Sequence, residues 1–166
     1  MKVIETDRLL IRQIEQGDLE DLYAICGDKE LMKFTGDGIL SKETTQKWID
    51  VTLNNYKTKG FGMCAVCYKD NNKFIGYCGL VYSKGIAHNE LIYALAKDYW
   101  GRGLATEMAS AMVEYGFETL KLKLIFASIN PDNLASEKIL LKIGFKEAFK
   151  RKDNFGLYTD YYSIQP

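Results

Sequence analysis

The segment Trp100-Gly101-Arg102-Gly103-Leu104-Ala105-Thr106 has the residue types and order of an anion-binding turn. It follows an apolar run from about Asn89 to Leu95. It opens a pattern in which Leu104, Met108, Ala111, Met112 and Tyr115 recur at helical steps. Two glycines permit a tight turn and a close approach of backbone to ligand. Open amides from about Arg102 to Thr106 then point together from the positive end of the helix dipole, as a phosphate or pyrophosphate requires. Arg102 can add a charge-assisted contact. The plainer reading is a glycine turn that only leads into a helix. Two nucleotide patterns compete. The Gly-x-x-x-x-Gly-Lys-Ser/Thr of a P-loop is missing. A dinucleotide-binding fold asks for Gly-x-Gly-x-x-Gly directly after a strand, with an acid roughly 20 residues on. Here Thr106 stands at the third glycine and five residues separate Leu95 from Gly101, although Asp132 can imitate the acid.

Other reactive side chains are sparse. His88 is the only histidine, and strand alternation places it on the side of Glu90. One histidine without a paired nucleophile makes no triad. Cys64 and Cys67 form Cys-x-x-Cys, but within a strand residues three apart face opposite ways, so no metal site is expected.

The elements that must position these groups are legible from periodicity. Leu9 to Ile14 reads as a strand. Asp18 is placed to cap a helix carrying Leu19, Leu22, Tyr23 and Cys26. A second helix runs from Ser41 to near Gly60, with Trp48, Ile49, Val51, Leu53 and Tyr56 as its apolar side. Phe61 to Tyr68 and Phe74 to Tyr82 form a hairpin, a third strand runs to Leu95, and the helix from Leu104 follows. Leu122 to Ile129 is a strand and Leu134 to Lys142 a helix closed by Gly144. Two last strands flank Asp153-Asn154-Phe155-Gly156. The order β-αα-βββ-α-β-α-ββ predicts a mixed α/β (α+β) sheet, antiparallel early, with one βα crossover. Trp48, Phe61, Tyr77, Tyr82 and Tyr93 read mainly as core.

Composition excludes several classes. The 166 residues suit one domain, 1–166, with 47% apolar and 27% charged residues. Lys+Arg and Asp+Glu are both 22, so nucleic-acid binding by broad phosphate neutralisation is not expected. No run near 18 apolar residues offers a membrane span, and Met1 to Arg8 has no secretory h-region. Four cysteines in a chain this long fit a reducing cytoplasm.

Four ordered segments resemble the GNAT superfamily of N-acetyltransferases. They are Glu5-Thr6-Asp7-Arg8-Leu9-Leu10-Ile11-Arg12, the loop at 100–106, Asn130-Pro131-Asp132-Asn133-Leu134-Ala135-Ser136, and Lys142-Ile143-Gly144-Phe145. The family's Arg/Gln-x-x-Gly-x-Gly/Ala signature is met at Gly103 and Ala105. Trp100 at its first position resembles the branch of ribosomal-protein N-terminal acetyltransferases. The resemblance implies a mostly antiparallel sheet of about seven strands with about four helices. Acetyl-CoA is then held in a gap between parallel strands near 89–95 and 123–129. Its pantetheine pairs with the backbone of Ala94, Leu95 and Ala96. Trp100, Gly101, Arg102, Gly103, Leu104, Ala105 and Thr106 surround the pyrophosphate, and Asn130 and Asn133 bond the pantetheine or adenine side. Asn133 equally suits a helix N-cap.

The implied reaction is direct transfer of acetyl to a primary amine, of a peptide N-terminus or a small molecule, without metal. An ammonium cannot attack. Deprotonation at pH 7 costs roughly 1 kcal/mol for an α-amine and about 4.6 kcal/mol for a lysine. Glu90 is the expected base and the amide near Leu95 the oxyanion donor. The tyrosine that many members carry in the last helix is replaced by Leu140 and Leu141, so Ser136 takes the thiol side. A non-catalytic acyl-CoA-binding module and a dinucleotide-binding protein are the alternatives. Residues 27–40 carry no readable acceptor code, and oligomeric state is not encoded legibly.

Overall fold

The computed structural model of the chain describes residues 4–152 and 156–166. Among the described residues eight strands form one sheet: β1 (Ile4–Glu5), β2 (Leu9–Gln13), β3 (Met63–Tyr68), β4 (Lys73–Ser83), β5 (His88–Leu95), β6 (Ile125–Ile129), β7 (Lys146–Lys152) and β8 (Tyr158–Ile164). Their order across the sheet is β1-β2-β3-β4-β5-β6-β8-β7. Neighbours are antiparallel except β5 and β6, which are parallel. The two-residue β1 is the strand beyond the expected seven; it is too short to carry a periodic signal. The last turn, expected at Asp153-Asn154-Phe155-Gly156, lies outside the described residues apart from Gly156.

The described residues also form four α-helices, α1 (Leu19–Cys26), α2 (Lys42–Lys59), α3 (Leu104–Glu118) and α4 (Leu134–Lys142), which cover the sheet. Ser41 starts α2 by accepting the Thr44 amide at 3.1 Å, and Gly60, at φ 82°, closes it. The buried stripe of α2 runs through Thr45, Ile49 and Thr52, at helical steps of four and three, whereas Val51 falls two positions off the stripe and is 60% exposed. This corrects the expected apolar side. Asp18 takes the N-cap position of α1, but its carboxylate makes no cap bond. Both of its oxygens are held by the Arg12 guanidinium, at 2.7 and 2.8 Å, and one also accepts the Glu15 amide. A charged bidentate partner outcompetes a cap.

The sheet separates two cores. On one face Leu91, Leu95, Ile125 and Ala127 pack with Leu104, Met108 and Met112 of α3 and Leu140 of α4. On the other, Ile14, Leu22, Cys26 and Ile49 of the α1–α2 side pack with Met63, Ala65 and Tyr77, joined by Ile92 and Ala94. All four cysteines are buried, and no disulfide links them. Among the described residues no helix is long and apolar enough to cross a membrane.

Candidate active site

The parallel strands β5 and β6 are paired only at Glu90 and Phe126. Beyond Glu90, β5 runs on to Leu95 still paired to β4, so its other edge faces a gap toward β6. In an antiparallel ladder, backbone groups alternate between the two neighbours. The Ala96 amide donates to the Ile75 carbonyl at 2.7 Å, which assigns even-numbered residues to β4 and turns the amides and carbonyls of Tyr93 and Leu95 into the gap. Of the three residues expected to meet pantetheine through their backbone, Ala96 has its amide committed to β4. Ala94 shares that side by alternation, and Leu95 faces the gap. Gly76 fixes this placement: a Cβ there would lie 2.3 Å from the Ala94 carbonyl oxygen. Trp100 closes the far end, its indole N–H donating to the Leu95 carbonyl at 2.7 Å.

The loop after β5 turns through two left-handed glycines, Gly101 at φ 72° and Gly103 at φ 77°. Gly103 is the N-cap of α3. The first bond of that helix runs from the Glu107 amide to the Gly103 carbonyl at 3.0 Å, leaving the amides of Leu104, Ala105 and Thr106 as its open donors. The Leu104 side chain is buried in the core, which fixes the helix end, while Gly101, Arg102 and Gly103 are exposed. Arg102 lies over the Tyr99 ring at 5.3 Å.

The loop is tied to the start of the chain by contacts that sequence reasoning missed. Arg8 donates to both Glu107 carboxylate oxygens through its amide (2.9 Å) and guanidinium (2.6 and 2.7 Å), and to the Arg102 carbonyl at 2.8 Å. Thr6 donates its hydroxyl to the same carboxylate. Burial works against the charge on Glu107, yet Thr6 and Arg8 hold its carboxyl below the ordinary range. The segment Thr6-Asp7-Arg8 thus acts as a clamp on the first turn of α3.

Glu90 and His88 lie on the α1–α2 face of the sheet with Ile92 and Ala94, because Leu91, next along the strand from Glu90, packs with α3 on the other. The Glu90 carboxylate accepts the hydroxyl of Ser128, from β6, across the single paired step. Ser128 was not anticipated; one serine in a strand carries no signal. The His88 ring lies 5.2 Å from Phe126, which leads through Phe149 to Tyr161, stacked at 4.5 Å. An aromatic surface therefore adjoins the carboxylate. Tyr82, expected in the core, is 47% exposed, whereas Trp48 and Tyr77 meet edge-to-face at 6.3 Å on the α1–α2 side.

On the opposite face, Asn133 caps α4 by accepting the Ser136 amide at 3.2 Å. Asn130 folds the preceding turn, its side-chain oxygen accepting the Asp132 amide at 2.9 Å. Ser136 thus sits in the first turn of α4, on the side of the sheet to which Tyr93 points. Cys64 packs against that α3–α4 core, and Cys67 lies beside Arg12, on the α1 side. Among the described residues no group of three His, Cys, Asp or Glu could hold a metal ion.

The chain is similar to known proteins over nearly its whole length. Residues 8–146 match the family model of the acetyltransferase (GNAT) domain. YoaA of Bacillus subtilis, described as an uncharacterized N-acetyltransferase, is 31% identical over 87% of this chain and 83% of its own. The GNAT-family acetyltransferase from Bacillus anthracis superposes with a TM-score of 0.85, at 26% identity, over 99% of this chain and 98% of that one. The ribosomal-protein α-N-acetyltransferase RimL, solved with coenzyme A, shares the fold at a TM-score of 0.84 and 15% identity, over 99% of this chain and 98% of its own. This chain belongs to the GNAT family and is an acetyltransferase.

Proposed function

We propose that this acetyltransferase moves the acetyl group of acetyl-CoA directly to a primary amine, within one domain spanning residues 1–166 and in the cytoplasm. The observation that carries the reading is the gap, which opens one residue past Glu90 and ends at the open amides of α3. The fit to coenzyme A is supported by the Tyr93 and Leu95 backbone groups along the gap, which offer a strand-like partner to pantetheine. It is also supported by the open space at Gly101, where an added Cβ would meet nothing within 4 Å. The amides of Leu104, Ala105 and Thr106, with Gly101, Gly103 and the Arg102 guanidinium, hold the pyrophosphate, and Trp100 braces the Leu95 carbonyl. Asn130 and Asn133, whose side-chain oxygens serve the turn and cap, offer their amide N–H groups to the pantetheine or adenine side.

When bound, acetyl-CoA supplies an acyl group activated as a thioester. Glu90, held by Ser128, receives the ammonium proton directly or through water. The Leu95 amide meets the developing oxyanion, and Ser136 lies on the sulfur's side. The acceptor approaches over the α1–α2 face, past Phe126, Phe149 and Tyr161. The low cost of deprotonating an α-amine, roughly 1 kcal/mol at pH 7, favours peptide N-termini or similarly weak bases, in keeping with RimL's α-amino substrate. Melting curves with acetyl-CoA and with NADH test the reading. Acetyl-CoA raises the melting temperature and NADH does not; the reverse returns the dinucleotide alternative. Cofactor binding with no thiol release across an amine panel would leave only a binding module.

A further inference from the structure

Charge is unevenly placed on the open part of the sheet. Among the described residues, the α1–α2 core reaches β5 at Ile92 and Ala94 and takes in no residue of β6, β8 or β7. The face that continues outward from Glu90 is therefore not covered by that core. Its rows follow from register, since residues directly opposite share a side. Glu90 lies opposite Phe126, Phe126 opposite Ser163, and Ser163 opposite Lys146. In the next row Ser128 lies opposite Tyr161, and Tyr161 opposite Phe149. Phe126, buried yet in neither core, lies against the His88 and Phe149 rings at 5.2 and 6.0 Å. Arg151 closes the patch, its guanidinium 5.5 Å from the Phe149 ring and 5.6 Å from that of Tyr161. It also donates to the Gly85 carbonyl at 2.8 Å, tying the turn before β5 to the last strand of the sheet.

The remaining charges of β7 belong to the other face. Glu147 lies opposite Tyr162, a member of the α3–α4 core, and Lys150 pairs with Asp160 at 3.4 Å. Lys152 lies over the Tyr158 ring at 5.5 Å. The Glu90 face therefore has a carboxylate at one end and a floor of Phe126, Tyr161 and Phe149. At its far end stand two cations, Lys146 and Arg151, on an edge strand whose residues are all exposed.

Accepting the acetyl transfer proposed for Glu90, we infer that the acceptor is a peptide N-terminus followed by an acidic residue, whose carboxylate meets Lys146 and Arg151. The face is polarised as such a peptide is, with its negative end toward the ammonium and its positive end toward the acid. Glu90 and β7 are three strand spacings apart, about 14 Å. An extended chain advances about 3.3 Å per residue. The acid thus falls at about the fourth or fifth residue of an acceptor laid across the strands. The side chains between rest on the aromatic floor. A basic residue at the same reach is repelled.

The test measures kcat and KM by thiol release from acetyl-CoA, with benzylamine and with alanine hexapeptide amides bearing Glu, Gln or Lys at the fifth position. At low salt the wild type favours the Glu peptide over the Gln peptide by about fivefold in kcat/KM, as one exposed ion pair provides. The Lys peptide falls below the Gln peptide. The difference lies in KM, because the contact is remote from the reacting atoms, and it shrinks at high salt. Moving Glu to the second position, toward the Glu90 carboxylate, removes the advantage. Lys146→Glu and Arg151→Gln each lower the Glu-to-Gln ratio. Lys146, on an exposed strand, keeps the test independent of the tie that Arg151 makes to Gly85. Equal kcat/KM for the three peptides in the wild type, or a ratio undiminished in both variants, overturns the acidic acceptor. So does acetylation of benzylamine with every peptide untouched. These results leave acetyl transfer itself standing. If neither benzylamine nor any peptide is acetylated, the proposed function falls and this inference with it.

Discussion

Replacing Glu107 with Gln removes the charge at the centre of the N-terminal clamp while keeping the side chain's shape. The carboxylate accepts the Thr6 hydroxyl, the Arg8 amide at 2.9 Å and the Arg8 guanidinium at 2.6 and 2.7 Å. Glutamine has one acceptor oxygen, and its NH2 faces donors. A hydrogen bond to a charged group contributes about 1.5–3 kcal/mol. Because the Arg8 side chain is 43% exposed, solvent screening brings the expected loss to about 1–2 kcal/mol. For a chain of this size that lowers the melting temperature by about 2–8 °C. The pH dependence has a definite sign. The Glu107 carboxyl is depressed in the folded state, so its stabilisation is present above the ordinary value of 4.5 and is lost as pH falls through the lowered one. Melts followed by circular dichroism from neutral to acidic pH should show a full difference between wild type and Glu107→Gln at neutrality, closing in acid. Equal stability at neutral pH, or a difference that does not change with pH, refutes the clamp.

Other changes act nearer the proposed chemistry. Glu90→Gln lowers kcat about 100-fold with coenzyme A affinity intact, and Ser128→Ala produces a smaller loss in the same assay. Gly103→Ala forces a side chain into a left-handed turn at a cost of about 1–2 kcal/mol; its melting temperature falls and its calorimetric Kd for coenzyme A rises. Gly76→Ala drives a Cβ against the Ala94 carbonyl. It is expected to destabilise by about 3 kcal/mol and to weaken coenzyme A binding more than Gly103→Ala does, since it displaces the strand lining the gap.

Local chemistry made much of this molecule legible. Ser41 and Gly60 bound α2 because a cap hydroxyl and a left-handed glycine are local signals, and Asn133 announces α4 in the same way. The glycines at 101 and 103 mark the loop for the same reason. Contacts between residues distant in sequence were not legible. Arg8 and Glu107 are 99 residues apart, and Ser128 meets Glu90 only because one parallel step joins β5 to β6. Asp18 shows the two levels in conflict, with a good capping residue drawn away by Arg12. The parting of β5 from β6 is invisible in the sequence, since a strand reads the same whether or not its neighbour stays beside it.

The most direct measurement is mass spectrometry of a panel of amines, including peptides with free N-termini, incubated with acetyl-CoA and the wild-type enzyme or Glu90→Gln. One acetyl group should appear on an amine nitrogen in step with thiol release, and Glu90→Gln should slow both together. Thiol release that leaves every amine unmodified, or acetylation undiminished in Glu90→Gln, would contradict direct transfer assisted by this carboxylate.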